Sequence, residues 1–388
     1  MRNYIFILFC LQCLFLNAQK NKVYTSLKEA LKHPLDVYKL DLSYSRIKKI
    51  PDDIGRLTNL EELNIAQNKI SSLPEAIGKL TNLTFFHANY NNISRLPESI
   101  GNLTKLKTLN LSHNNLVYLP NSICYMSSLR ELDLSINKIV KLPDNIGNLS
   151  NLFWLELGNN RLSTLPSSLI GLKKLEGLIL NINKFTFFPK ELSLLSSLKT
   201  LNLARNKIIL FPNELGLIKT LVRLDIQENG IKELTPEIRQ LKLLDYLNLS
   251  FNPLLNIDVT IGELSELKDL EIAFLELTIF PETILRLHNL ERLNLGYNKL
   301  NSLPESITRL SNLKEIYMNE NELISLPETM VELSSLVKID LEGNKLKKIP
   351  QNLTQIPSLR YINVARNKSL VLTNEQKRFI KKRDEEVY

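Results

Sequence analysis

The chain has 388 residues, a length that on its own suggests two or three globular domains. One fixed period runs through it and excludes that partition. Its formal net charge of +8 points toward a polyanionic partner, a class that the placement of the charges excludes below.

Met1-Arg2-Asn3 is a short basic start, Tyr4 to Leu16 is apolar except for Gln12, and Asn17-Ala18-Gln19 follows. This is the layout of a secretory signal peptide cleaved after Ala18. The run of about 13 residues is too short to span a membrane, so no stable span is expected after cleavage. A lipoprotein signal would need Cys10 or Cys13 to follow a small residue, and neither does. Removing the signal leaves Cys124 as a single thiol, so no internal disulfide is expected. A hydrophobic tail on a cytoplasmic scaffold is the remaining reading of this segment. Residues 19–37 come next as an N-terminal cap. Within it, Thr25-Ser26-Leu27-Lys28-Glu29-Ala30-Leu31-Lys32 has the pattern of a short amphipathic helix with a Thr or Ser cap, stopped by His33-Pro34.

From residue 38 to 372 an asparagine returns every 23 residues: Asn68, Asn91, Asn114, Asn137, Asn160, Asn183, Asn206, Asn229 and Asn252, then Asn298, Asn321, Asn344 and Asn367. Such a period means a stack of about fifteen near-identical units. Leu-x-Leu alternation, as in Leu132 and Leu134, is a short strand with one face buried. Leu96, Ile100 and Leu103 supply apolar residues on a short helical or irregular return. An asparagine buried at the bend has donors and acceptors enough to satisfy its own turn and the adjacent one. The column is therefore read as structural. Strands about 4.8 Å apart give an inner arc on the order of 70 Å. At the end, residues 373–388 read as a C-terminal cap: Thr373 and Gln376 have capping-box spacing and open a charged helix carrying Phe379 and Ile380.

The unit Leu129-Arg130-Glu131-Leu132-Asp133-Leu134-Ser135-Ile136-Asn137-Lys138-Ile139, followed by Leu142-Pro143 and Ile146, has the form LxxLxLxxNxL with an LPxxI second half. It resembles the leucine-rich repeat family in its bacterial 23-residue variety. The resemblance implies an α/β repeat solenoid, a horseshoe with a parallel sheet on its concave face and short helical caps. It implies partner binding rather than one reaction. The lack of cysteine-rich caps favours a bacterial secreted or envelope protein.

Four columns per unit should face outward from the strands. They hold thirteen carboxylates and six cations (Lys39, Arg205, Arg223, Arg292, Lys338 and Arg366), so the inner face is acidic in a basic chain. It has no basic stripe for phosphates, which excludes nucleic acid and points to a protein ligand with a neutral or basic surface. Phe251, Phe274 and Tyr297 occupy one column in consecutive units, with Tyr246, Tyr317 and Arg292 on neighbouring strands. Clustered exposed aromatics with an arginine match binding hot spots. The period is faulted at the same place: Leu275 stands where an asparagine is expected and Asp258 where a proline is. A second candidate is Trp154 with Ile136, Ile179 and Ile182, and a third is Phe85, His87 and Tyr90. Catalysis has little support. Asp133 and Glu156 should be about 5 Å apart on adjacent strands, a separation reminiscent of a retaining glycosidase, but on an open sheet with nothing to exclude water. His87 and His113 are offset too far to share a metal, and no phosphate loop, HExxH or CxxC pair occurs. No cofactor is expected. The sequence thus points to a binding scaffold, in an adhesin or host- or envelope-interaction role, with carbohydrate recognition as the second reading.

Overall fold

The computed structural model describes residues 20–257 and 259–384. The expected signal peptide, Asp258 and the last four residues lie outside that range. Contacts gather the chain into two compact units. One runs to Lys184 and includes Leu194–Leu198; the other comprises Phe185–Ser193 and the residues from Lys199 onward.

The first unit is built on eight strands: β1 (Val23–Tyr24), β2 (Lys39–Asp41), β3 (Glu62–Asn64), β4 (Phe85–His87), β5 (Thr108–Asn110), β6 (Glu131–Asp133), β7 (Trp154–Glu156) and β8 (Gly177–Ile179). From β2 onward each strand pairs in parallel with the next at an offset of one repeat, so that Lys39, Glu62, Phe85, Thr108, Glu131, Trp154 and Gly177 stand side by side. β1 is a strand that the sequence pattern did not announce. It pairs Val23 with Lys39 and forms the edge of this sheet ahead of the first repeat. The helix after it, α1 (Leu27–Ala30), is shorter than the eight-residue pattern. Ser26 is its cap, accepting the Glu29 N–H at 3.4 Å.

The second unit repeats the plan with β9 (Thr200–Asn202), β10 (Arg223–Asp225), β11 (Tyr246–Asn248), β12 (Asp269–Glu271), β13 (Arg292–Asn294), β14 (Glu315–Tyr317), β15 (Lys338–Asp340) and β16 (Tyr361–Asn363), again parallel and in register. It closes on α2 (Asn374–Asp384). The capping box forms as its spacing suggests: Thr373 N–H donates to Gln376 Oε1 at 3.0 Å, and Gln376 N–H to Thr373 Oγ1 at 3.2 Å. Gln376 is itself buried and donates to Pro350 O, tying the cap to the last repeat.

Each repeat from β2 to β15 buries the middle residue of its strand and the residue two further on, as Leu63 with Ile65 or Leu132 with Leu134. The return is a short 3-10 turn such as Glu75–Lys79. Pro74 precedes it at φ −75°, where its missing N–H is not needed. Ile77, Leu80 and Leu83 of that return complete the core. A buried leucine of this kind contributes about 1.5–3 kcal/mol by area, and only neighbouring repeats can supply the cover.

The asparagine ladder does the work its chemistry suggests. Asn91 accepts Ile70 N–H from the preceding repeat through Oδ1 and donates through Nδ2 to Ile65 O, Ala88 O and Asn89 O, at 2.9–3.3 Å. The residue before each ladder position takes a left-handed backbone, with φ between 52° and 57° from Gln67 to Glu320. This turn bends the chain away from the strand. It also sets a column of side chains at the rim of the sheet.

Candidate partner-binding face

Three rings of that left-handed column lie on one another. Phe251 and Phe274 have centroids 3.9 Å apart at 16°, and Phe274 and Tyr297 4.1 Å apart at 10°. A left-handed backbone costs a non-glycine residue roughly 1–2 kcal/mol. Here it is held by ladder bonds, from Phe251 N–H to Ala273 O and from Tyr297 N–H to Asn319 O. Stacking turns the ring faces toward each other and leaves mainly ring edges outside. The column continues as Glu228 before Phe251 and Glu320 after Tyr297. Arg205 Nε donates to Glu228 at 2.7 Å, and Arg366 pairs with Glu320. Between Glu320 and Arg366 stands Gly343, φ 68°, where a Cβ would meet a Glu320 carboxylate oxygen at 2.6 Å. The aromatic stack is therefore flanked at both ends by a glutamate held by an arginine.

On the strands beside it, Arg292 sits among three carboxylates: Nε is 3.4 Å from Glu271 and 3.8 Å from Asp269, and Nη1 is 3.7 Å from Glu315. Its guanidinium carbon lies 5.0 Å from the Tyr317 ring, whose hydroxyl donates to Glu315 at 2.7 Å. Tyr246 is covered by Arg223, 4.2 Å from the ring centroid. Burial pushes the Asp269 carboxyl up to about 6, with the neighbouring Glu271 charge adding to it. Burial likewise raises the Tyr246 and Tyr317 phenols to about 12. The structure thus groups the six expected residues of this unit as a stack (Phe251, Phe274, Tyr297) and an ion-paired strand cluster (Tyr246, Arg292, Tyr317). Arg292 is engaged by its own chain's carboxylates.

Trp154 belongs to the first unit. Its indole occupies the space beside Gly177, where a Cβ would fall 2.0 Å from Cε3, and its Nε1 donates to Glu156 at 2.8 Å. It is half-buried, while Ile136 nearby is exposed. In the third candidate group Tyr90 stacks on His113 at 3.9 Å. Asp133 and Glu156 are side by side in register, but each is engaged locally: Asp133 accepts Ser135 N–H and Oγ–H, and Glu156 accepts the indole. Cys124 is buried, and burial raises its thiol to about 11, which suits a small apolar filler.

Part of the acidity read from the sequence is structural. Asp41, Asp133, Asp225 and Asp340 each accept the backbone N–H two residues on, as Asn64, Asn110, Asn202, Asn248, Asn294 and Asn363 do in the same column. These are turn-forming side chains at strand ends. The column departs from Asp or Asn only at His87, Glu156, Ile179, Glu271 and Tyr317. Glu271 ends the strand of the repeat that carries Phe274, at the centre of the stack, and Tyr317 that of the repeat after Tyr297. That departure is a signal available in the sequence and not used there.

The leucine-rich repeat region family matches residues 11–115 and 121–206, and further leucine-rich repeat matches cover 105–126 and 277–323. Among solved structures, a leucine-rich repeat protein of Leptospira interrogans is 32% identical at TM-score 0.79, over 88% of this chain and 99% of its own. The plant peptide hormone receptor RGFR1, in complex with RGF2, is 28% identical at TM-score 0.67, over 86% of this chain and 59% of its own. TLR13 in complex with ssRNA13 is 27% identical at TM-score 0.73, over 89% and 52% respectively. No curated protein matches the chain.

Proposed function

We propose that this chain, which belongs to the leucine-rich repeat family, is a non-enzymatic scaffold that recognises a protein or peptide partner through the sheet face and rim of its second unit. The observation that carries this reading is the exposed stack of Phe251, Phe274 and Tyr297, three large rings kept at the surface in consecutive repeats. Contiguous exposed apolar surface of this kind is characteristic of binding sites. The RGFR1 complex, a relative holding a peptide hormone, supports the same direction. The carbohydrate reading is weaker, because sugar stacking needs ring faces and the stack covers both faces of Phe274 and one face each of Phe251 and Tyr297. An RNA ligand, as in the TLR13 complex, fits poorly with carboxylates crowded around Arg292. Catalysis is not part of the proposal, since Asp133 and Glu156 are spent on local hydrogen bonds.

We place the protein outside the cytoplasm, secreted or at the cell envelope, on the basic start, apolar run and Ala18 of its first residues. In that setting an adhesin or host-contact role is the finer reading. The segment boundaries go with it: signal 1–18, N-terminal cap 19–37, repeats 38–372 and C-terminal cap 373–388. Among the described residues no helix is long and apolar enough to cross a membrane.

The test is affinity for a partner isolated with the full chain from envelope or host extracts. Phe274→Ala with Tyr297→Ala should weaken binding by about 2 kcal/mol or more, roughly thirtyfold, as loss of a central aromatic hot spot does. An unchanged affinity in the double variant would remove the stack from the contact surface.

A further inference from the structure

Beside the stack, the second unit contains a groove of about 1100 Å³ lined by Phe251, Phe274, Leu255, Ile257, Ile279 and Phe280, among others. Leu255 and Ile279 stand at its lip 72% and 80% exposed. Large apolar side chains left in water at a groove edge are a cost with no return inside the fold, which is why such patches mark contact sites. The groove falls where the period is faulted. With Leu275 in the ladder position, Asn298 Oδ1 takes both Leu275 N–H and Leu277 N–H at 3.1 Å. Its volume exceeds the roughly 300–1,000 Å³ of ordinary small-molecule sites, and it suits several residues of chain.

The charged residues of its lining are two carboxylates, Glu228 and Glu276, against one guanidinium, Arg205. Arg205 holds Glu228 at 2.7 Å, and Lys299, outside the lining, holds Glu276 at 3.1 Å. Exposed pairs of this kind contribute only about 0–1 kcal/mol, so an incoming cation can replace either partner at little cost. On the adjoining strands Asp269, Glu271 and Glu315 all pair with Arg292, and Arg223 also acts on Asp269. A basic group arriving there finds surplus carboxylate.

Resting on the scaffold reading above, we propose that this groove takes an extended cationic polypeptide segment, with an apolar side chain seated against Phe274 and Ile279 and a neighbouring lysine or arginine meeting Glu276 or Glu228.

Fluorescence anisotropy with the full chain tests it, using three short labelled peptides. One alternates lysine with leucine and phenylalanine, one carries glutamate in place of lysine, and one carries serine in place of the apolar residues. The first should bind at least about tenfold more tightly than either of the others, a difference of one decade in Kd. Leu255→Ser with Ile279→Ser, both at exposed positions, should lower its affinity by a similar factor while Tyr118→Ser, at an exposed position of the first unit, leaves it unchanged. Equal binding of the three peptides, or binding indifferent to the groove variant, overturns the proposal. So does a concentration-dependent dimer that the groove variant abolishes, since the occupant would then be a second copy. If no peptide seats in the groove yet a partner is still lost on Phe274→Ala with Tyr297→Ala, only this inference fails. If the peptide binds through the groove while that double variant retains every partner, only the scaffold assignment to the stack fails.

Discussion

Asn160 shows why the ladder is fixed. Its Oδ1 accepts Ile139 N–H at 2.9 Å, and its Nδ2 donates to Leu134 O, Leu157 O and Gly158 O at 3.0–3.4 Å. Leucine in its place would fill the space and orphan buried backbone groups, so Asn160→Leu should destabilise by about 2–4 kcal/mol in urea unfolding. Leu275 is tolerated because Asn298 accepts the backbone N–H groups of both Leu275 and Leu277. Asn160→Leu should therefore be far more costly than Leu275→Asn, which should shift stability by less than about 1 kcal/mol. Asp269 offers a second reading at this scale. Its folded value near 6 lies above the ordinary carboxylate value of 3.8, so between the two the folded chain holds a proton that the unfolded chain lacks. The group's contribution to stability is then full at low pH and is lost as pH rises through about 6. Asp269→Asn should raise the melting temperature at pH 7.5, by an amount corresponding to about 1–2 kcal/mol after solvent screening. That advantage should shrink by pH 5, and thermal melts of the two proteins at both pH values measure it.

Among the elements, β7 and β8 carry the sharpest pairing. The indole of Trp154 has its place because Gly177 opposite has no side chain. Since Trp154 is the chain's single tryptophan, tryptophan emission excited selectively reports this contact alone. Gly177→Ala should push the ring toward water and red-shift its emission, whereas a Cβ accommodated without change would leave the spectrum in place. The caps illustrate two degrees of legibility. Thr373 and Gln376 announced their capping box by spacing, because a reciprocal pair needs only local geometry. β1 gave no such notice: two residues without alternation become a strand only because the exposed edge of β2 is there to pair with.

At the scale of the whole molecule, a 23-residue period was enough to read the solenoid, its strands and its buried columns. The same column count brought Phe251, Phe274 and Tyr297 together. Ring orientation was beyond it, since repeat spacing sets how far apart equivalent residues lie and not which way χ angles turn the rings. The tie between Arg366 and Glu320 across Gly343 and the groove at Leu255 and Ile279 were also hidden. Each depends on a departure from the repeat rather than on the repeat. The acidity of the face was legible as a count, but its meaning changed once Asp41, Asp133, Asp225 and Asp340 were found closing turns. The charge left to meet a partner is concentrated around Arg292 and along the rim. Hydrogen–deuterium exchange on the full chain with and without its isolated partner tests the location of the contact most directly. The expected result is new protection concentrated in residues 246–256, 269–280 and 292–300. Protection confined to the repeats around Tyr90 or Trp154, with residues 246–300 unchanged, would contradict it.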